Sequence, residues 1–347
     1  MPSSLDAYLT SALEGAASGR PIADAIRHLC TAAVKVRNTI IEGGTSGDLG
    51  GQRGETNSDG DIQKELDVLA DKAFLKAAKD SGFAFFGSEE QEGPVRLSED
   101  GDLAIAIDPL DGSSNISTNV SIGTIFSILP VSAEQKANPD TVFRQKGANQ
   151  LAAGFFTYGP QLHLVLTVGD GTHVFLFSPK FGGFVEQTAS VSIEPRAKEF
   201  SANMSNYRHW DTHIRNYIDD LLAGAEGPRE REFGMRYVGS LVADAYRILT
   251  RGGVFLYPGD ERKGYQKGRL RLMYEANPVA MLVEQAGGAA SDGTRRILDI
   301  EPESLHERVP FVFGSKREVE RIARYIADSD ALAERSPLFG KRSLFSS

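Results

Sequence analysis

Cysteine is nearly absent from this chain: Cys30 is the only one in 347 residues. No internal disulfide can form, which excludes a disulfide-stapled secreted scaffold and an intramolecular dithiol switch. Cys30 sits between Leu29 and Thr31 in a helical pattern and reads as a small core residue. No apolar run approaches the roughly 20 residues needed to span a bilayer. The first residues, Met-Pro-Ser-Ser-Leu-Asp, lack the basic-then-apolar layout of a signal peptide. Positive charge is in deficit, 38 Lys and Arg against 47 Asp and Glu, so the net charge is −9. That argues against non-specific binding to nucleic acid or an anionic membrane, and a phosphorylated substrate would need local positive charge or bound cations. Several catalytic layouts are missing too. There is no Gly-x-Ser-x-Gly elbow, no Walker loop and no Gly-x-Gly-x-x-Gly, and the six histidines show no zinc spacing. A reducing cytoplasm fits these absences.

What is present centres on Asp108-Pro-Leu-Asp-Gly-Ser-Ser-Asn115. The apolar run Leu103 to Ile107 has the length of a strand buried on both faces. Asp-Pro should stop it, and a tight turn should fold Asp111 back toward Asp108. Gly112 lets the backbone approach a ligand, and Ser113 or Ser114 can cap a helical turn whose free N–H groups favour an anion. Carboxylates for a hard cation beside an anion cradle suit metal-assisted phosphoryl transfer. An ordinary Asp-Gly turn after a strand reads the same residues more plainly.

Along the chain, Ile22, Ile26, Leu29, Ala33, Val36 and Ile40 mark one face of a helix, with Pro21 at its start and Gly43-Gly44 past its end. Residues 43–60 are glycine-rich, the composition of a lid or a connector. A second helix is expected from Ile62 to Lys79, burying Leu66, Leu69, Ala70, Ala73, Phe74 and Ala77. Short strands follow at Phe83 to Phe86 and Ile122 to Pro130, then a meander of short strands from Leu151 to Gln187. After residue 198 helix and strand alternate, with helical faces at Ile214-Tyr217-Ile218-Leu221-Leu222 and Leu241-Val242-Ala245-Ile248-Leu249. Gly253 to Tyr257 and Phe311 to Phe313 read as strands, Pro278 to Ala286 and Glu318 to Ala327 as helices, and the tail from Ser336 as loose. The fold class is α/β, helices packed on sheets, split into 1–197, 198–335 and the 336–347 tail.

Other carboxylates stand where apolar patterns break: Asp61 opening the second helix, Asp67 near its apolar face, Glu89 and Glu90 ending a strand, and Glu275 before Ala-Asn-Pro. Singly, each suits a cap, a surface pair or an edge residue. Sharing one pocket with Asp108 and Asp111, they would repel unless protonated or neutralised by roughly two or three magnesium ions. Asp108-Pro-Leu-Asp111 is one position too long for an Asp-x-Asp nucleophile, so no phospho-aspartate is expected.

Together with Ser88-Glu-Glu90, Arg236-Tyr-Val-Gly-Ser240, Phe255-Leu-Tyr-Pro258 and Leu270-Arg-Leu-Met-Tyr-Glu-Ala-Asn-Pro278, the aspartate motif resembles class I fructose-1,6-bisphosphatases, from about residue 21 to 330. The resemblance implies a layered α-β-α-β-α sandwich, usually a homotetramer, hydrolysing the 1-phosphate of fructose 1,6-bisphosphate in gluconeogenesis or the Calvin cycle. It implies catalytic metals, Mg2+ or possibly Mn2+, on Asp61, Glu89, Asp108, Asp111, Glu275 and the carbonyl of Leu110. Glu90 coupled to Asp67 would activate the water. Gly112, Ser113 and Ser114, with Asp111 and Arg271 beside them, would hold the 1-phosphate. Asn203, Tyr207, Tyr237, Tyr257 and Arg269 would grip the sugar and 6-phosphate. Arg236 would reach into a neighbouring subunit.

Three departures from relatives stand out. Asn203-Met-Ser-Asn-Tyr207 is one residue longer than the mammalian Asn-x-x-Tyr, and Arg269 replaces a common lysine. Ser18-Gly-Arg-Pro-Ile-Ala23 and Asp102-Leu103 stand in place of the AMP-binding loop and Lys-Tyr pair, so AMP inhibition is expected to be weak or absent; the missing cysteines argue against thioredoxin control. Competing readings are a sedoheptulose-1,7-bisphosphatase, an inositol-phosphate phosphatase and a non-catalytic sugar-phosphate sensor.

Overall fold

Two mixed sheets separate three layers of helix in the computed structural model, which describes residues 3–46, 52–56 and 62–327. The larger sheet has eight strands. In spatial order they are Gly183–Thr188, His173–Ser178, Leu162–Thr167, Ala152–Tyr158, Ile122–Pro130, Leu103–Asp111, Phe85–Ser88 and Val95–Arg96. The smaller sheet has five: Gly234–Met235, Glu199–Ala202, Val254–Tyr257, Phe311–Gly314 and Ala289–Ser291. Side-chain alternation on the strands assigns the layers. Ile105, Ile107, Phe126, Phe156 and Leu164 face helices Leu5–Ala12, Gly19–Ser46 and Glu65–Asp80. Ile125, Phe155 and Val165 face the opposite way, onto helices Leu241–Arg251 and Asn277–Gln285, which also cover Phe255 and Phe313 of the second sheet. The far side of that sheet, Phe200, Val254 and Leu256, buries helices Thr212–Leu222 and Lys316–Ala327. This is the expected α-β-α-β-α sandwich, and Cys30 lies in its first core, buried.

Several local expectations change. The first long helix runs Gly19–Ser46, so it starts before Pro21 and continues through Gly43-Gly44. Proline is tolerated in a first turn, and two glycines cost a helix roughly 1 kcal/mol each without forcing it to end. Ile62–Lys64 is a strand, and the second helix is Glu65–Asp80. Leu69 is 41% exposed on it, while Asp67 and Asp71 take inward places beside Leu66, Ala70 and Phe74. Leu222 is likewise 59% exposed. The strand expected at Phe83 to Phe86 lies at Phe85–Ser88.

The largest change is in the central motif. The strand does not stop at Asp108-Pro109 but runs to Asp111 through a bulge. Asp108 pairs with Ile125 and Asp111 with Gly123, so Pro109 and Leu110 together oppose Thr124 alone. The bulge absorbs a proline that has no N–H for the ladder. The Pro109 carbonyl accepts from Thr124 Oγ1 at 2.8 Å, and Leu110 N–H donates to Asp108 Oδ1 at 2.9 Å. Residues three apart on a regular strand point to opposite faces; one extra residue brings Asp108 and Asp111 to the same one.

Candidate active site

Parallel pairing of Phe85–Ser88 with Leu103–Asp111 sets the first two acids side by side. Ser88 pairs with Ile107, and Glu89 N–H donates to the Ile107 carbonyl at 3.1 Å, so Glu89 and Asp108 leave adjacent strand ends together. Asp111 follows from the bulge. Glu275 arrives from the other half of the chain on a π-helical turn, Leu272–Ala276, that leads into helix Asn277–Gln285. Glu275, which taken singly suited an edge residue, is buried at 7% exposed. Ligand oxygens of Asp108, Asp111 and Glu275 lie within 4.8 Å of one another.

The charge balance of this cluster needs explaining. Burial, then repulsion from Glu275, Glu90, Asp111 and Asp67, raises the Glu89 carboxyl well above its ordinary value. Burial and the neighbouring Glu89, Asp111 and Glu275 do the same to Asp108. Glu275 is pushed up to about 7, chiefly by burial, although the Arg271 N–H bond opposes this. Asp111 is raised by burial and restrained by Ser240 Oγ at 3.0 Å and Val242 N–H at 2.9 Å. Asp111 thus caps helix Leu241–Arg251 from outside, where the helix dipole favours an anion. A set of oxygen-only donors that cannot all ionise without added positive charge fits hard divalent cations.

The same turn is stitched to the Arg236–Ser240 segment. Gly112 is left-handed at φ 75°, and a Cβ there would lie 2.9 Å from Ser240 Cβ. Asn115 Nδ2 donates to the Gly239 carbonyl at 3.0 Å. Gly112 itself takes the cap position of the short 3-10 helix Ser113–Thr118, so neither serine hydroxyl caps it, contrary to expectation. Leu110 places its side chain in the first core and anchors the bulge.

The second half contributes aromatic and cationic groups, of which Tyr237 comes within electrostatic reach of Asp111. Tyr237 is pushed up to about 12 by burial and by Tyr257, Asp244 and Asp111, and it hydrogen-bonds Asn203. Tyr257 is raised by burial and hydrogen-bonds Asn206, which also accepts from Arg262 Nη2 at 2.9 Å. Arg269 and Arg262 stand over the Tyr265 ring at 5.1 and 4.1 Å. Tyr207 points elsewhere: its hydroxyl donates to Asp219 at 2.6 Å and its ring meets Trp210 edge-on. The extra residue in Asn203-Met-Ser-Asn-Tyr207 thus puts Asn206, not Tyr207, against Tyr257. Arg271 is buried, its Nε donating to Tyr274 Oη at 3.1 Å. Arg236 is exposed. Asp67, buried, and Glu90, half-buried, both lie within the electrostatic reach of Glu89. Asp61 lies outside the described residues, as do parts of the glycine-rich segment.

Sequence reasoning missed a second set of residues that hold these groups. Asp71 accepts from Ser88 Oγ and Gln91 Nε2, both at 2.7 Å, and Ser88 Oγ accepts from Glu90 N–H, so the Glu89-Glu90 turn is tied to the helix. Asp71 follows Asp67 by four residues, one helical turn, which was a legible signal. His306 bridges the Gln91 carbonyl and Tyr274 Oη at 2.8 and 2.9 Å. Asp244, pushed up to about 6 by burial, gathers Ser201 Oγ and the Val238 N–H.

Two family models together match most of the chain: the fructose-1-6-bisphosphatase N-terminal domain over residues 12–189 and its C-terminal domain over residues 193–327. A Sinorhizobium medicae protein named fructose-1,6-bisphosphatase class 1 is 55% identical over 98% of both chains. A Methylorubrum extorquens protein of the same name is 49% identical over 99% of this chain and 98% of its own. Among solved structures, the holo form of Leishmania major fructose-1,6-bisphosphatase superposes with a TM-score of 0.87 at 34% identity, covering 94% of this chain and all of that one.

Proposed function

This chain belongs to the fructose-1,6-bisphosphatase family, class 1, and on that premise we propose that it hydrolyses the 1-phosphate of D-fructose 1,6-bisphosphate to fructose 6-phosphate and phosphate. The observation that carries the reading is the buried Asp108–Asp111–Glu275 cluster, with Tyr237 within electrostatic reach of Asp111 and Arg269 within reach of Tyr257. When bound, divalent cations would neutralise phosphoryl charge and lower the pKa of a water. Asp108, Asp111, Glu275 and Glu89 would hold roughly two or three of them, Mg2+ in the first place, with the Leu110 carbonyl and Asp61 as further ligands.

The remaining roles are those the family resemblance implies, with Asn206 in place of Tyr207. Glu90, beside Asp67, takes the proton from the attacking water. Gly112, Ser113 and Ser114 receive the 1-phosphate with backbone and hydroxyl donors, helped by the positive charge of Arg271. Asn203, Asn206, Tyr237, Tyr257 and Arg269 grip the sugar and the 6-phosphate, so a substrate lacking that phosphate leaves buried donors unpaired and is rejected. Residues 1–197 supply the metal and 1-phosphate groups and 198–335 the sugar grip, with Glu275 and Arg271 crossing from the second part into the first. Arg236, exposed, extends to a neighbouring subunit of a homotetramer. The enzyme serves cytoplasmic sugar metabolism, gluconeogenesis or the Calvin cycle; none of its described helices is long and apolar enough to cross a membrane.

Phosphate release from fructose 1,6-bisphosphate, sedoheptulose 1,7-bisphosphate and inositol 1-phosphate, with and without magnesium, tests the reading. Preference for the first, dependent on the cation and abolished in Asp108→Ala, is expected. Metal-independent turnover, or equal rates on inositol 1-phosphate, would refute it. Mixed oligomers of Arg236→Ala and Asp108→Ala subunits should regain activity if Arg236 acts across the interface. Micromolar AMP should leave turnover unchanged.

A further inference from the structure

We propose that an arginine-walled cavity on the outer helical layer of the second half binds a small phosphate-bearing anion of two or more charges, separate from the carboxylate centre. The cavity, about 240 Å3, is lined by Arg196, Arg229, Arg231, Arg317 and Arg321 around a single carboxylate, Glu318. These residues come from the approach to strand Glu199–Ala202, the segment before Gly234–Met235, and helix Lys316–Ala327.

The carboxylate is already committed. Glu318 accepts from Arg229 Nη2 at 2.6 and 2.8 Å, from Arg231 Nη2 at 3.1 Å and from Tyr217 Oη at 3.0 Å. Five guanidiniums against one carboxylate leave four positive charges in one concavity of a chain whose net charge is −9. Among the described residues, Arg196, Arg317 and Arg321 have no ion-pair partner. Two donors are buried and unbonded: Nη1 of Arg229, whose side chain is 2% exposed, and Nε of Arg321. A buried, unpaired guanidinium N–H costs free energy that an anion's oxygens recover. The crowding is felt locally, since burial and then the neighbouring Arg229, Arg196 and Arg321 pull the Arg231 guanidinium down, with Glu318 opposing.

The wall also defines what fits. Guanidiniums present planar forks that match phosphate oxygens in bidentate pairs. Pro228 completes the lining, so no aromatic face is available to stack a nucleobase. The volume falls below the roughly 300 Å3 at which pockets for drug-sized ligands begin. A compact phosphate or diphosphate group suits it; a nucleotide does not.

Calorimetric titration of the intact magnesium-loaded enzyme with inorganic pyrophosphate, then inorganic phosphate, at constant ionic strength tests this. The comparison is wild type against Arg196→Ser/Arg317→Ser, two exposed rim positions outside the catalytic groups. The wild type should bind one more pyrophosphate per chain than the variant, while both hydrolyse fructose 1,6-bisphosphate at the same rate. Pyrophosphate should bind more tightly than phosphate. Should the double variant fail to fold, Arg317→Ser alone should weaken the additional site about tenfold, the equivalent of one lost charge-assisted contact. Equal stoichiometry and affinity in wild type and variant overturns the proposal. So does a signal that potassium chloride of the same ionic strength reproduces, or no additional equivalent in either protein, as when the oligomer covers the cavity.

Discussion

Replacing Glu275 with Gln should stabilise this protein when divalent metal is removed and take away most of the further stabilisation that metal confers. Glu275 is buried, and its carboxyl is pushed up to about 7 from an ordinary 4.5. A folded-state value above the unfolded one means the native protein holds the proton more tightly, so stability falls as pH rises through the window from 4.5 to about 7. Above it the penalty is complete: about 2.5 units at 1.36 kcal/mol each, roughly 3 kcal/mol. A proton held by Glu89, Asp108 or Asp111 relieves the same repulsion, so about 1 to 3 kcal/mol is expected. Gln keeps an oxygen for the Arg271 N–H and carries no charge, so it escapes the penalty.

Thermal unfolding in chelator provides the assay. At pH 8 the variant should melt a few degrees above wild type, since 1 kcal/mol moves a chain of this size by roughly 1–2 °C. At pH 4.5 the two should coincide. Adding magnesium at 100 times its dissociation constant should stabilise wild type by about 2.7 kcal/mol, and Glu275→Gln by much less. A chelated variant that melts below wild type at pH 8, or a variant that keeps the full magnesium-dependent rise, refutes the electrostatic account of the cluster.

Three further substitutions probe the surroundings. Gly112→Ala puts a Cβ at φ 75° against Ser240, so stability should drop by roughly 1–2 kcal/mol and kcat/KM by tenfold or more, read by urea unfolding and steady-state rates. Asp71→Ala frees Ser88 and Gln91; kcat should fall about 10- to 100-fold while the KM for fructose 1,6-bisphosphate changes little, and an unchanged kcat counts against Asp71 as the anchor of the Glu89-Glu90 turn. Asn206→Ala should raise KM, whereas Tyr207→Phe should leave KM alone and cost about 1 kcal/mol of stability through the lost Asp219 bond; the opposite pattern returns the sugar grip to Tyr207.

Much of the site was legible in the chain because it is written in contiguous motifs. The burial of Leu103 to Ile107 follows from an unbroken apolar run, and the helical layers follow from stepped apolar residues such as Ile22, Ile26 and Leu29. Asp108, Asp111, Glu275, Tyr237 and Tyr257 could be named from motif and resemblance, since each stands in a short pattern of restricted residue types.

Tertiary structure decided which of those residues meet, and in what charge state. Spacing alone puts Asp108 and Asp111 on opposite faces of a strand; only pairing with Ile122–Pro130, with its one-residue bulge, turns both inward. Taken singly, Glu275 suited an edge residue because its neighbours alternate, and the π-helical turn that buries it depends on packing of Met273 and Tyr274 against the larger sheet. Asn206 rather than Tyr207 meets Tyr257 because one added residue rotates a 3-10 segment by about 120°. Asp71, Asp244 and His306 find their partners only where helix, loop and strand close around them. Local sequence fixes periodicity and turn chemistry at short range, whereas burial of a charge and the partner that satisfies it are set by segments far away in the chain.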